Sequence, residues 1–242
     1  MIDYVAQTGS TNADLVARLS GGEYLPEGYW LVADRQIAGK GRLGRSWSDG
    51  GGNFMGSSLI QRGPGDPPPA SLALVAGLAV HEAIEGVFES GDSVACARPI
   101  LKWPNDVLLD GGKLAGILLE MVGNAVVVGI GVNIVAAPSL EGRKVVSLAD
   151  YGLSICRDSF AERLADCLDA EISRWRLGGL APIMRRWQTA AHSEGTALTV
   201  HPPGEAPLNG SFGGLTADGN LLLRLADGAQ RVIHAGDVFL KD

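Results

Sequence analysis

Residues 114–134 read Leu114-Ala115-Gly116-Ile117-Leu118-Leu119-Glu120-Met121-Val122-Gly123-Asn124-Ala125-Val126-Val127-Val128-Gly129-Ile130-Gly131-Val132-Asn133-Ile134. Two apolar runs flank the Gly123-Asn124 turn signal, so the stretch predicts two strands, Leu114 to Val122 and Ala125 to Val135. The unbroken Val126-Val127-Val128 run lacks polar alternation, which places its strand inside a sheet covered on both faces. Glycines 129 and 131 then interrupt it. A glycine in a strand interior gives up packing and chain entropy, so two of them mark either a bulge or a close approach to the backbone.

Upstream, residues 1–8 predict an opening strand, and Ser10-Thr11-Asn12 offers capping chemistry for a helix that Gly21-Gly22 stops. Strands are expected over 28–33 and 53–60, a helix over 71–88 with Leu74, Leu78, Val87 and Phe88 inward, and strands over 99–102 and 107–109. The last two flank Trp103-Pro104-Asn105-Asp106, where proline biases the chain away from helix. Asp110-Gly111-Gly112 is a hairpin signal. Ser159-Phe160-Ala161-Glu162 matches a capping box, and Phe160, Leu164, Leu168, Ile172 and Trp175 form one helical stripe. Gly178-Gly179 ends that helix, and Pro182 suits the start of another. Both helices should lie across the sheet. From Gly195 the composition changes to short strand candidates (198–200, 210–214, 221–225, 231–234) between glycine turns, which reads as a small β-barrel packed on the main domain.

With 46% hydrophobic and 19% charged residues, the 242-residue chain can bury a large core. A net charge of −7 disfavours non-specific nucleic-acid binding, which rests on phosphate neutralisation. Cys96, Cys156 and Cys167 are widely spaced, without a C-x-x-C, so a reducing, cytoplasmic compartment fits best. His81, His192, His201 and His234 lack metal-ligand spacing and read as surface or core-edge residues. No secretion signal opens the chain, and the apolar stretch Leu72 to Val80 falls short of the ~20 residues that span a bilayer. A soluble protein with no membrane partner is expected.

Four polar segments and one basic loop stand out. Gly39-Lys40-Gly41-Arg42-Leu43-Gly44-Arg45-Ser46-Trp47 sets three glycines among three cations, a composition suited to phosphate or carboxylate. It is neither a P-loop nor a dinucleotide fingerprint. Ser10-Thr11-Asn12 by itself is ordinary helix capping. Lys102-Trp103-Pro104-Asn105-Asp106 places an amide, a carboxylate and a cation around a rigid proline. Lys113 reads equally as an exposed hairpin residue or as a cation aimed at an anionic substrate. Gly129-Ile130-Gly131-Val132-Asn133-Ile134 is the interrupted strand.

These five motifs, in this order, resemble those of biotin protein ligases, over almost the whole chain. The resemblance implies an α+β fold: a mixed sheet covered by helices, class II synthetase-like, over residues 1–192, with a small SH3-like β-barrel over 193–242. The start at the Ser-Thr-Asn motif resembles the monofunctional type, without a winged helix-turn-helix and without DNA binding. The implied activity joins biotin to MgATP as biotinyl-5′-adenylate, then transfers biotin to a lysine of a biotin carboxyl carrier domain. Ser10, Thr11, Asn12 and Gln36 would hold the ureido head; Gly116, Leu118, Gly129 and Gly131 would line the pocket. Gly39, Lys40 and Arg42 would grip the carboxylate and phosphate, and Lys113 would neutralise charge at the α-phosphorus. Arg45, Trp47, Asn105, Val132 and Asn133 would serve the nucleotide. Asp106 would orient the acceptor lysine or assist its deprotonation. No dedicated metal ligands are assigned, and the Mg²⁺ would accompany ATP. Many family members carry Arg where this chain has Lys40, which keeps the charge and loses the fork. A lipoate or octanoate ligase or transferase is the alternative, and a homodimer is left open.

Overall fold

The computed structural model describes residues 1–48, 50–90 and 97–241; Cys96 lies outside them. The strand pair read from residues 114–134 forms the middle of a seven-stranded mixed sheet. Strands β1 (Ile2–Thr8), β2 (Trp30–Gln36), β3 (Phe54–Gln61), β4 (Pro99–Lys102), β5 (Asp106–Leu109), β6 (Gly112–Val122) and β7 (Ala125–Val132) are arranged β1-β2-β3-β7-β6-β5-β4. Among the described strands of this sheet only β1 and β2 run parallel; helix α1 (Thr11–Ser20) provides the crossover between them. The other neighbours are antiparallel. Every residue of β7 is buried, as its apolar run requires.

One face of the sheet is covered completely. Helix α2 (Leu72–Ser90) lies against it, with Leu74, Leu78, Val87 and Phe88 in the core. By length and composition this helix could cross a membrane, yet 72% of its apolar window is buried inside the protein. Its role as the core helix explains that composition. Helix α3 (Arg157–Gly178) buries the predicted stripe, and Phe160 packs edge-on against Phe54 of β3 at 5.6 Å. Trp175 donates its indole N–H to Ser71 Oγ at 2.8 Å. Helix α4 (Leu180–Ala190) completes the layer. The wholly buried Glu171 carboxylate holds Arg174 and, across to α4, Arg186. These two helices rest largely on α2 rather than directly on the sheet.

Several sequence expectations shift. The α3 N-cap is Cys156, not Ser159; Ser159 sits inside the first turn, and the Cys156 sulfur accepts from its N–H. Pro182 falls at the third position of α4, after a Gly179 cap with φ 69°. Strand β2 begins at Trp30 and runs on to Gln36, and β7 stops at Val132. Beyond it the chain leaves the sheet, held by Asn53 Oδ1, which accepts from the N–H groups of Val135 and Ala136.

The C-terminal region is a five-stranded antiparallel sheet of β8 (Ala197–His201), β9 (Leu208–Leu215), β10 (Leu221–Arg224), β11 (Gln230–Ile233) and β12 (Asp237–Leu240), ordered β11-β10-β9-β8-β12. Strand β12 is absent from the sequence reading because its partner, β8, is distant in the chain and the strand is only four residues long. The turns at Gly204, Gly219 and Gly228 use φ of 74°, 81° and 84°, where glycine carries no Cβ penalty. This sheet is docked on the larger sheet and on α4: Trp103 Nε1 donates to Gly219 O at 3.0 Å, Lys102 Nζ to Val238 O at 3.0 Å, and the Leu215 N–H to Gln188 Oε1 of α4 at 2.7 Å.

Trp175→Ala removes a fully buried ring and the hydrogen bond to Ser71, and should lower stability by about 3–5 kcal/mol, measured by urea unfolding.

Candidate functional site

The second face of the sheet is covered only in part. Helix α1 packs Leu15 over one end, against Leu25, Tyr29, Leu31, Leu59, Ala125 and Val127. Beyond α1, side chains give way to glycines: Gly116 and Gly131 lie directly opposite each other on β6 and β7, and Gly129 faces Leu118. The result is a cavity of about 1370 Å³ whose floor is bare backbone. A Cβ at Gly129 would lie 2.5 Å from Asn12 Oδ1, and one at Gly131 would collide with the Trp47 indole. The two glycines mark a close approach, not a bulge.

At the α1 end the cavity is lined by oriented polar groups. Thr11 donates its backbone N–H (2.7 Å) and its hydroxyl (3.1 Å) to Gln36 Oε1, and its Oγ1 meets Ser57 Oγ at 2.8 Å. A backbone N–H can only donate, so the Gln36 oxygen is committed to Thr11. The Gln36 NH₂ is left beside Gly39. Ser10 caps α1 by accepting from the Ala13 N–H at 3.4 Å and is not part of the cavity wall.

The middle of the cavity is charged. Asp106 opens β5 directly across from Lys102, the last residue of β4. Its carboxylate contacts Lys113 Nζ at 2.6 Å and Lys102 Nζ at 3.1 Å. A break in register between Val107 and Leu108 sets Leu108 opposite Lys113 and Val107 opposite Ala115. Such a bulge re-aims side chains: it brings Lys113 to the same side as Gly116, although their spacing of three would put them on opposite faces of a regular strand. Lys113 Nζ lies 3.1 Å from where a Gly116 Cβ would be and 5.6 Å from the Trp47 ring centre. Burial alone would raise the Asp106 carboxyl, but Lys113 and Lys102 outweigh it and hold it below the ordinary carboxylate value.

The glycine-rich loop closes over this floor. Lys40 and Ser46 bridge its two sides, and residues 42–44 make one tight turn with Leu43 at φ 56°. Arg42 donates to Asn105 Oδ1 at 2.8 Å, while Asn105 donates to Ile117 O at 2.8 Å. Burial lowers the Arg42 guanidinium, partly offset by Asp237 and Asp106. Arg45 pairs with Asp237 of β12 at 2.6 Å, tying the loop to the C-terminal sheet. Lys40 is exposed, and the Trp47 Nε1 is buried without a partner.

The comparisons with known proteins agree with this geometry. Residues 6–134 match the biotin/lipoate A/B protein ligase family, and 203–241 match the biotin protein ligase C-terminal domain. The chain belongs to the biotin protein ligase family. It is 36% identical to a biotin–[acetyl-CoA-carboxylase] ligase of Paracoccus denitrificans, over 97% of this chain and 98% of that one. It is 38% identical to the Mycobacterium tuberculosis ligase of the same name, over 98% and 88%. A biotin protein ligase from Aquifex aeolicus, solved in complex with biotin and ATP, superposes with TM-score 0.84 at 26% identity, over 99% and 98%.

In this ligase most of the sequence-derived site residues converge on one cavity: Thr11, Asn12, Gln36, Gly39, Lys40, Arg42, Arg45, Trp47, Asn105, Asp106, Lys113, Gly116, Leu118, Gly129, Gly131 and Asn133 all line it. Val132 does not; period-2 alternation turns its side chain into the core with Ile130 and Val128. Asn133 is buried and already donates to Val146 O at 3.1 Å, so its NH₂ holds a neighbouring segment. Sequence reasoning noted Lys102 only as the cation of its motif and missed Ser57, Glu120 and Asp237. Ser57 was detectable, as a polar residue between Met55 and Leu59 on one face of β3. Asp237 carries no such signal, since only tertiary docking brings it to Arg45.

Two outcomes follow for the ligase. Gly129→Ala should push the buried Asn12 amide aside and weaken ligand binding in the cavity by at least about tenfold, read by calorimetry. A carboxyl held below its ordinary value contributes stability that is fully present above the ordinary carboxylate pKa of about 3.9 and is lost as pH falls through the depressed value. The destabilisation by Asp106→Asn should therefore be constant from pH 5 to 8, about 4 °C or more in Tm, and shrink only in stronger acid.

Proposed function

We infer that this chain is an ATP-dependent, AMP-forming biotin–protein ligase that activates biotin as biotinyl-5′-adenylate and transfers it to a lysine of a biotin carboxyl carrier domain. The observation that carries the reading is a single cavity with neutral, oriented amides at one end and Lys113, Arg42 and Asp106 at the other, separated by bare glycine backbone. Biotin has that same division: a compact ureido ring, an apolar chain and a carboxylate. Thr11, Asn12 and Gln36 hold the ring, and the chain lies over Gly129 and Gly131 beside Leu118. The carboxylate lies near Lys113 and Lys40, with Arg42 and Arg45 toward the phosphates.

In the first step the carboxylate oxygen attacks the α-phosphorus and the α–β phosphoanhydride bond breaks, releasing pyrophosphate. Two anions must meet, so preorganised cations lower the barrier. Lys113 is fixed by Asp106 and needs no reorganisation to act. In the second step the acceptor amine attacks the acyl carbon, the mixed anhydride C–O bond breaks, AMP leaves and the nitrogen gives up a proton. With its carboxyl held low by two lysines, Asp106 is a weak base at neutral pH. Orienting the incoming lysine is the role it fits better. The loop of residues 39–47, by covering the adenylate, excludes water until the acceptor arrives.

Magnesium enters with ATP. No group of three or more His, Cys, Asp or Glu side chains stands together among the described residues, and a magnesium ion held chiefly by phosphates and water needs no such cage. Residues 1–192 carry the chemistry and 193–242 steady the loop through Asp237. Carrier docking, and any pairing of two copies, uses an exposed sheet edge such as that of β1. The net charge of −7 argues against a DNA partner. Free Cys156 and Cys167 suit a reducing cytoplasm. The polar end of the cavity speaks against lipoate or octanoate, whose chains offer nothing to its amides.

Incubation with biotin, MgATP and a carrier domain should add one biotinyl group to one carrier lysine, identified by mass spectrometry. Failure where a known ligase succeeds would refute the reading. Lys113→Ala should cut adenylate formation by about 10²–10³-fold while changing biotin Kd much less.

A further inference from the structure

Resting on the ligase reading, a second carboxamide in the cavity shows how the ring is recognised. Asn12 is buried on the first turn of α1 and spans two strands. Its NH₂ donates to the Glu120 carboxylate on β6. Its Oδ1, buried and without any partner, lies over the bare backbone of Gly129 at the cavity floor. A carboxylate can only accept, so Glu120 dictates which way the Asn12 amide faces. Gln36 is held in the opposite sense, because the Thr11 N–H and hydroxyl take its oxygen and leave its NH₂ for the cavity. The wall thus offers an acceptor at Asn12 and a donor at Gln36.

We propose that Glu120 is a positioning residue for specificity: by holding the Asn12 amide, it keeps a buried acceptor facing the cavity that only a ligand N–H can satisfy. A cyclic urea sets an N–H beside its carbonyl, so the N–H meets the acceptor at Asn12 and the carbonyl oxygen meets the donor at Gln36. The Asn12 oxygen is already buried without a partner, so a ligand N–H gains a hydrogen bond there that an acyl chain ending in a dithiolane or a methyl group cannot make. Discrimination of that kind is far stronger than a hydrophobic pocket achieves through shape. Glu120 is two residues beyond Leu118 on the same strand face and is itself half-buried. Its substitution therefore leaves the core side of β6, with Ile117 and Ala115, untouched.

The test uses the full chain, biotin, and two biotin analogues in which one or the other ureido N–H is replaced by a ring oxygen, with affinities from calorimetry. The wild-type protein should bind the analogue lacking the N–H that faces Asn12 about 10- to 100-fold more weakly than biotin. Glu120→Ala should shrink that preference to about threefold or less, because the freed Asn12 amide can turn its NH₂ to the ring oxygen. Glu120→Gln, nearly isosteric but able to donate as well as accept, no longer fixes the direction of the Asn12 amide and should reduce the preference too. A purely structural role for Glu120 would weaken biotin and both analogues alike in the alanine variant, and that result overturns the proposal. So does equal binding of biotin and both analogues by the wild-type protein, an outcome that does not depend on any variant folding. If the wild-type protein binds biotin not at all, the ligase reading itself falls.

Discussion

One sheet must be buried on one face and left bare on part of the other. Strand β7 meets both demands within eight residues. Its even-numbered side chains, Val126, Val128, Ile130 and Val132, sink into the α2 core, while its odd-numbered positions change from Ala125 and Val127 under α1 to Gly129 and Gly131 under the cavity. The apolar face holds the molecule together through burial worth roughly 25 cal/mol per Å². The glycine face costs some of that, since it removes side chains that could have packed. What it returns is room for a ligand against rigid backbone, which no loop could hold as firmly.

Around that floor the polar groups are already committed to one another. Asp106 is held by two lysines, Arg42 by Asn105, Gln36 by Thr11 and Asn12 by Glu120. Each bond fixes a direction as well as a distance, so the polar atoms of the cavity are already oriented. This is the condition under which charge stabilisation costs no reorganisation. The amides separate donor from acceptor at one end, and the ion pairs gather positive charge at the other. Neutral polar groups and charge are therefore divided along the length of the cavity.

The C-terminal sheet is part of this arrangement. It docks through Lys102 at the end of β4 and Trp103 in the turn that leads to Asp106, and it reaches the basic loop through Asp237 and Arg45. A small sheet of this size buries too little surface to be robust alone. Its contacts with the larger unit support both partners and place one carboxylate where the loop arginine needs it.

Read alone, the chain determined a great deal. The period-2 and period-3.6 patterns located most strands and helices, the valine run identified the central strand, and the paired glycines marked the floor, because apolar burial and backbone access leave direct traces in residue type. Five short motifs sufficed to state the family. The tertiary structure decided the rest. Whether Lys113 was a surface residue or part of the site depended on a bulge against β5 that reverses its side. That Val132 faces the core while Gly131 faces the cavity depended on the register of the finished sheet. Ser57, Glu120 and Asp237 act only through partners 46, 108 and 192 residues away in the chain. A local pattern records what a residue prefers; which partner it meets is settled only when distant segments pack.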